Sequence, residues 1–590
     1  MEHGKRIQAA IMEAGFGSLS DFAVALGCSR ALVYRYANGT TLARIDVMQR
    51  IAHLTGKPLP YFYSEGDDDA AAPTTSAGGP RRLEDPKTLS SRADHLLSLG
   101  TALTSPPDHA RAAMTYMQLV TLAEQLEDKV LEARAHFRAG NCHLQLGAFA
   151  DATRCFRRAL DLFAEAGEET GVRACRQSLV CSLQSIGEFD AALEHARELT
   201  VSRDARKRWI AGLSVAAILE QVGKLQEAWA QLDSAEEEAS QAANGDPGPF
   251  EQTYIQANRA NVAIARGRYR SGARYARRAA EAAREAGLHD QTLEADLTYG
   301  LCLLRMGEPG MAFGHLDRSL RLADLAGDKA RMAAAHACEC EWYTVAGRFD
   351  EARESGRAGY DLASKGHGAM PELFAGLALA RAHLESELLS DAESYARGAL
   401  HLASRIGAPL YAAWAKLIQA EVNCWREDGG PRALQLADSA RGVARPSTAN
   451  HLLAEALRVS ALAEAACGDR VNALRHAREA IGLAEETGVP WTTLRARIAL
   501  ARAVSDEEER GQVLEQVHAN ILEQADKFAR HNLGANLLRV PDLFWAFRER
   551  AVREGMGPDD RTLHQWRSAD AATLSTLLPA PSGAGGSAPA

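Results

Sequence analysis

Aromatic residues are scarce: Phe, Trp and Tyr make up 6% of the 590 residues, and alanine dominates a hydrophobic share of 46%. Small side chains used that often suit helices packed closely on one another. No stretch approaches the ~20 consecutive apolar residues a membrane span needs, and Met1-Glu2-His3-Gly4-Lys5 leads into no signal-like apolar core. A cytoplasmic protein with no membrane partner is expected. The ten cysteines form no framework of short spacings, so reduced, mostly buried thiols are expected. Lysine is rare beside arginine, a usage typical of high-GC bacteria. There is no P-loop, no G-x-G-x-x-G after a strand, no G-x-S-x-G and no H-E-x-x-H. Cys338-x-Cys340 and Cys142-His143 come nearest to metal ligands, but neighbours on a helix point ~100° apart and no second pair lies at zinc-site spacing. These absences predict no enzyme, no catalytic residue, no cofactor and no metal.

The formal net charge of -10 argues against a general nucleic-acid binder. Its distribution says more. Residues 1–63 hold seven Lys or Arg against four Asp or Glu, a balance of +3, which leaves -13 on the remainder. A small basic head precedes a large acidic body.

Between them, Ser64-Glu65-Gly66-Asp67-Asp68-Asp69 and the Pro-, Thr-, Ser- and Gly-containing run to Pro80 have almost nothing to bury, so 64–87 reads as a flexible linker. Residues 579–590 read as a disordered tail. The body repeats itself. Gly followed two residues later by an aromatic or apolar residue recurs at Gly147, Gly187, Gly223, Gly267, Gly307 and Gly347, in steps of 40, 36, 44, 40 and 40 residues. The comb continues to Glu387, Gly429 and Gly468, and backwards to Pro106-Pro107. A second comb at Gly167, Gly287, Gly327, Gly366, Gly407 and Gly488 cuts each unit into two helices.

Small residues keep phase with the turns. Five positions after the first turn stand Ala112, Ala152, Ala192, Ala228, Gly272, Ala312, Ala352, Ala392 and Ala473; seven before it stand Gly100, Gly140, Val180, Ala216, Ala260, Gly300, Cys340, Ala380, Val422 and Ala461. They are expected to face each other where helices cross, because bulk there would push the axes beyond 8–10 Å. This phase and the Gly-x-aromatic turn resemble the tetratricopeptide repeat over about residues 90–505, with a period of 40 rather than 34, as in the longer-helix variant of bacterial regulators. The expected fold is all-α: a five-helix helix-turn-helix head (1–63), then an α-solenoid of about ten tetratricopeptide-like hairpins (88–505). Residues 506–578 read either as a capping element or, from the cluster Leu543, Phe544, Trp545 and Phe547, as a dimerisation surface.

Within the head, helices are expected over Lys5–Ala14, Leu19–Leu26, Arg30–Ala37 and Ile45–Leu54, with a brief turn at Leu59–Phe62. Ser18-x-x-Asp21 is a capping box, and the second and third helices are separated by Gly27-Cys28-Ser29, which is helix-turn-helix spacing. The stretch Asp21-Phe-Ala-Val-Ala-Leu-Gly-Cys-Ser-Arg-Ala-Leu-Val-Tyr-Arg-Tyr-Ala-Asn-Gly39 resembles the XRE family of helix-turn-helix domains, which includes lambda repressor and Cro. Leu19 departs from the glutamine usual in that family, and Ala37 from a frequent acidic residue. The resemblance implies that Arg30–Ala37 enters the major groove of an operator as half of a homodimer. Arg30, Ala31, Tyr34 and Arg35 would then meet base edges, and Lys5, Ser29, Asn38, Thr40, Thr41 and Arg44 phosphates. Leu32, Val33 and Tyr36 should be core.

In tetratricopeptide superhelices the first helix of each hairpin lines the concave groove. Six residues before the first turn, this phase carries Asn141, Asn261, Glu341, Arg381 and Asn423, with Gln145, Gln177, Asn258, Arg305 and Gln419 nearby. An asparagine offers a donor and an acceptor to a peptide backbone. An XRE head on such a body resembles the RRNPP group of bacterial regulators, which bind short signalling peptides in the groove. That implies backbone contacts from Asn141, Asn261 and Asn423, with Glu341 and Arg381 selecting charge. The alternative is a protein-interaction scaffold with a weakly anchoring head.

Overall fold

The computed structural model describes residues 2–14, 16, 18–26, 30–38, 45–55, 57, 86–104, 108–365, 368–531, 533–556 and 558–577. The chain divides into two compact units, Met1–Leu83 and Glu84–Ala590. The turn expected at Leu59–Phe62, nearly all of the linker and the C-terminal tail lie outside the described residues.

Among the described residues four helices build the first unit: α1 (Glu2–Glu13), α2 (Leu19–Leu26), α3 (Arg30–Ala37) and α4 (Ile45–Thr55). Apolar residues at helical spacing, Ile7, Ala10 and Ile11 on α1 and Phe22, Ala23 and Leu26 on α2, close on Val33 and Tyr36 of α3 and on Met48 and Ile51 of α4. Ser18 caps α2: its hydroxyl accepts from the Asp21 N–H (3.2 Å) and donates to the Asp21 carboxylate (2.7 Å).

The second unit is a solenoid of helical hairpins. Ten run from Pro86–Ala102 with His109–Gln125 to Asn450–Ala466 with Arg470–Thr487. An eleventh pairs Pro490–Ala503 with Glu507–Ala529, so the array continues past residue 505. Glu507-Glu508-Glu509 is the acidic first turn of that last helix, where negative charge meets the helix dipole, and Asp506 caps it by accepting from the Glu509 N–H (2.7 Å). Most turns after a first helix use a left-handed residue: φ is +72° at Gly147, +85° at Gly187 and +61° at Glu387, which takes the same place without being glycine, whereas Gly429 keeps a φ of -80°.

Alanines 112, 152, 192, 228, 312, 352, 392 and 473 are fully buried, as the close crossing requires. Where the two small positions meet, a Cβ on Gly272 would stand 3.6 Å from the Ala260 carbonyl, as expected. A Cβ on Gly140 would stand 2.6 Å from the Phe156 ring, and one on Gly100 2.6 Å from Tyr116. In these two units the glycine makes room for an aromatic one turn beyond the alanine.

First helices also pack on the first helices of neighbouring units, as the inner row of a curved array must. The curvature closes. Asn450 N–H donates to the Arg266 carbonyl (3.3 Å) and Asn536 N–H to the Ala346 carbonyl (2.7 Å). Tyr269 meets His451 across 182 residues, and Arg348 meets the Leu533 carbonyl across 185. At 40 residues per unit, each such turn therefore rests on the chain about four to five units later.

The C-terminal segment, including Pro541–Arg553 and Asp560–Ser568, covers the end of the array. Leu543 and Phe547 are buried, and Phe547 lies 5.2 Å from Trp566 and 5.4 Å from His518, centroid to centroid. Arg567 stands over Phe544 (4.5 Å) and Arg502 over Trp545 (4.6 Å). The aromatic cluster is engaged within the chain.

Candidate functional site

Helix α3 is held by Val33 and Tyr36, 1% and 5% exposed, with Leu32 half-buried. Its opposite face presents Arg30, Tyr34 and Arg35 to solvent, and Asn38 is exposed just beyond it, its N–H donating to the Tyr34 carbonyl (3.0 Å). Lys5 falls on α1 and Ala31 on α3. Ser29, Thr40, Thr41 and Arg44 lie outside the described residues.

Inside the solenoid the expected groove residues separate into two groups. In the early units Gln145, Gln177 and Asn261 are exposed and Asn141 is half-buried. Asn258 turns back on its own helix, its Nδ2 donating to the Tyr254 carbonyl (2.9 Å). In the later units the charged candidates are already paired. Arg305 bridges to Glu341 (2.5 Å), and Arg381 to Glu421 (2.7 Å) and Glu385 (3.5 Å). Glu341 and Arg381 therefore do not stand as free selectors of charge. Asn423 sits out of phase, because its helix ends at Cys424 and the turn to Gly429 is longer than in other units. Its Nδ2 donates to the carbonyl of Gln419 (2.7 Å), itself a half-buried residue. Glu421, 40 residues after Arg381, meets it instead.

These pairs belong to a longer buried chain. Tyr269 Oη lies 2.6 Å from His451 Nδ1, and His451 Nε2 lies 3.0 Å from Thr492 Oγ1, whose hydroxyl donates to Glu455 Oε1 (2.7 Å). Because the Thr492 proton is committed to Glu455, His451 must donate from Nε2, and its Nδ1 accepts from Tyr269. Burial, reinforced by the Arg305 cation, lowers His451 to about 3, so the ring is neutral. Glu455 continues to Arg458 (2.8 Å), and Arg458 to Glu421 (2.9 Å). Glu385 closes the chain on Arg495. Burial opposes ionisation of Glu455, but the surrounding positive charge, Arg458 first and then Arg495 and Arg381, together outweighs it and holds the carboxyl well below its usual range. Sequence reasoning missed His451, Glu455, Arg458 and Thr492. The helix of the first three, Asn450–Ala466, is buried along most of its length because two turns of the coil meet there, and no local period announces that meeting; Thr492 reaches it from Pro490–Ala503.

Among the described residues no group of three or more His, Cys, Asp or Glu side chains is placed to hold a metal ion, and no helix is long and apolar enough to cross a membrane. Cys142 and Cys340 are buried and Cys338 is half-buried.

No protein-family model and no curated protein matches the chain. Among solved structures it is similar to a Rap protein complexed with competence and sporulation factor, at 12% identity and a TM-score of 0.43 over 67% of this chain and 99% of that one. It is similar to the APC/C hetero-tetramer Cut9-Hcn1 at 13% identity and 0.47, over 96% and 98%. A STAND protein with a tetratricopeptide repeat sensor from Pyrococcus horikoshii matches at 14% and 0.39, over 63% and 56%. The likeness is one of helical-repeat fold.

Proposed function

We propose that the protein is a DNA-binding transcriptional regulator of the XRE helix-turn-helix type, whose solenoid takes an effector, a short peptide, inside its coil. The observation that carries the first half is helix α3, fixed from below by Val33 and Tyr36 and presenting Arg30, Tyr34 and Arg35 outward. Arg30 suits a bidentate bond to guanine O6 and N7, worth ~1–3 kcal/mol of discrimination, and Ala31 suits a thymine methyl. Lys5, Ser29, Asn38, Thr40, Thr41 and Arg44 would bind phosphates around it. A head of +3 contributes few phosphate contacts alone, so two heads of a homodimer reading two half-sites are part of the proposal.

For the effector, the support is the polar inner row of the early units, where Gln145, Gln177 and Asn261 keep amide donors and acceptors open to solvent. The later units, closed by internal ion pairs, act as the stiff part of the coil. Sequencing DNA fragments that co-purify with the protein tests this reading. Recovery of a common half-site, retarded by the protein at physiological salt, supports it. Fragments without a shared sequence contradict it and favour the interaction-scaffold role of an acidic solenoid.

A further inference from the structure

The acidity of the body is uneven. Residues 266–285 hold seven arginines against two glutamates, a balance of +5 inside a remainder of -13, and larger than the +3 of the head. Most of them stand on Tyr269–Glu285, the second helix of its hairpin and so part of the outer row. That helix buries one face, with Tyr269, Gly272, Ala273, Ala276, Ala280 and Ala283, against the first helices on either side. Arg270, Arg274, Arg277, Arg278 and Arg284 are exposed on the rest of its surface.

On three other second helices an exposed arginine has an acid one helical turn away: Arg154 has Asp151, Arg321 has Asp317 and Arg397 has Glu393. On Tyr269–Glu285 the neighbours at that spacing are arginines instead. Arg270, Arg274 and Arg278 follow one another at intervals of four, and Arg277 stands three beyond Arg274. Of the five, Arg277 alone has an acid among the described residues, Glu281 at 3.7 Å, while Arg274 lies over the Tyr275 ring at 5.2 Å. Like charges one turn apart destabilise a helix, so folding does not account for the row.

We infer that this row is an electrostatic docking surface for the phosphate backbone of double-stranded DNA, a contact additional to that of the head. From Arg270 to Arg284 the row runs ~21 Å along the helix, and a duplex carries one phosphate charge per ~1.7 Å of its axis. Guanidinium forks match phosphate oxygens two at a time. A protein partner ordinarily brings an apolar centre to its interface, but between Phe250 and Met311 no large apolar side chain is exposed. Binding there is therefore a matter of charge, which is the character of backbone contacts to nucleic acid. The acidic remainder does not cancel it, because salt screens charges beyond ~8–10 Å and leaves the local balance in control. DNA as the source of the phosphates rests on the reading of the head as a DNA reader.

Fluorescence anisotropy of the full-length protein on a labelled duplex of mixed sequence, across a salt series, tests the row. It is run in the Arg30→Ala/Arg35→Ala background, with and without Arg274→Gln/Arg278→Gln/Arg284→Gln, and in parallel on a labelled poly-glutamate chain. Arg270 is left in place because its Nε would lie 3.7 Å from a Cβ on Gly488, in a later unit of the coil. The triple change is expected to weaken duplex binding about tenfold or more and to reduce the salt slope by about three, with a thermal melt that does not fall. Equal affinity and slope with and without it, or no duplex binding in that background, would overturn the row. Loss of poly-glutamate binding with duplex binding intact would overturn DNA in favour of an acidic protein partner. In the presence of Arg30 and Arg35 the triple change should leave the preference for one duplex sequence over another intact, so the row and the reading of the head fail separately.

Discussion

Tyr269 Oη and His451 Nδ1 stand 2.6 Å apart, although 182 residues separate them in the chain. The hydroxyl belongs to the start of one second helix and the imidazole to the start of a first helix in a later unit, so this bond joins successive turns of the coil. Removing the donor leaves a buried acceptor unpaired. Tyr269→Phe should cost about 1–3 kcal/mol in a urea melt with the m-value unchanged. A loss within error would mean that the turns of the coil do not meet there.

Two glycines with the same backbone conformation separate strain from contact. Gly267 (φ +76°) would place a Cβ 2.7 Å from the His451 backbone nitrogen, whereas Gly287 (φ +71°) has nothing within 4 Å. Gly287→Ala should cost about 1 kcal/mol from the left-handed backbone alone. Gly267→Ala should cost clearly more, because two elements must move apart. Equal losses would contradict the closed coil.

Arg458 has no exposed surface and lies between Glu421 and Glu455. Arg458→Met should destabilise by about 3–5 kcal/mol, since it leaves the buried Glu455 carboxylate without its cation and Glu421 with Arg381 alone. Adding Glu421→Gln and Glu455→Gln should recover part of that loss, and the thermal melts of the single and triple variants check it.

Two groups give opposite pH dependences. The folded value of His451, about 3, is below its usual 6.5, so its contribution is complete above pH 6.5 and is lost as pH falls towards 3. Glu220 is raised from its usual 4.5 to about 7, so the folded state carries a penalty above pH 7 that disappears as pH falls to 4.5. Glu220→Gln should therefore raise the melting temperature at pH 8 and leave it unchanged at pH 4. His451→Gln should flatten the acid limb between pH 6.5 and 3. Melts of both variants across pH 3–8 test these signs.

The hairpins were legible because their signals are local and repeat. Gly147 fixes a turn by its own backbone, and Ala152 and Gly140 mark a crossing within one unit. The core of the head was legible for the same reason, in Val33 and Tyr36. What was hidden depends on contacts far apart in the chain. Arg305 and Glu341 were both read as groove residues, yet nothing within either helix says that they pair across 36 residues. Asn423 was misplaced because one longer turn shifted the count, while the true partner of Arg381 was marked by its spacing, 40 residues on at Glu421.

The central claim is that α3 reads DNA. It is tested most directly by fluorescence anisotropy of the full-length protein on a recovered operator and on a scrambled duplex, across a salt series, for the natural protein and the Arg30→Ala/Arg35→Ala variant. The account predicts that the variant loses about tenfold or more in preference for the operator with an unchanged thermal melt, and binds both duplexes alike. Undiminished preference for the operator in the variant would contradict it.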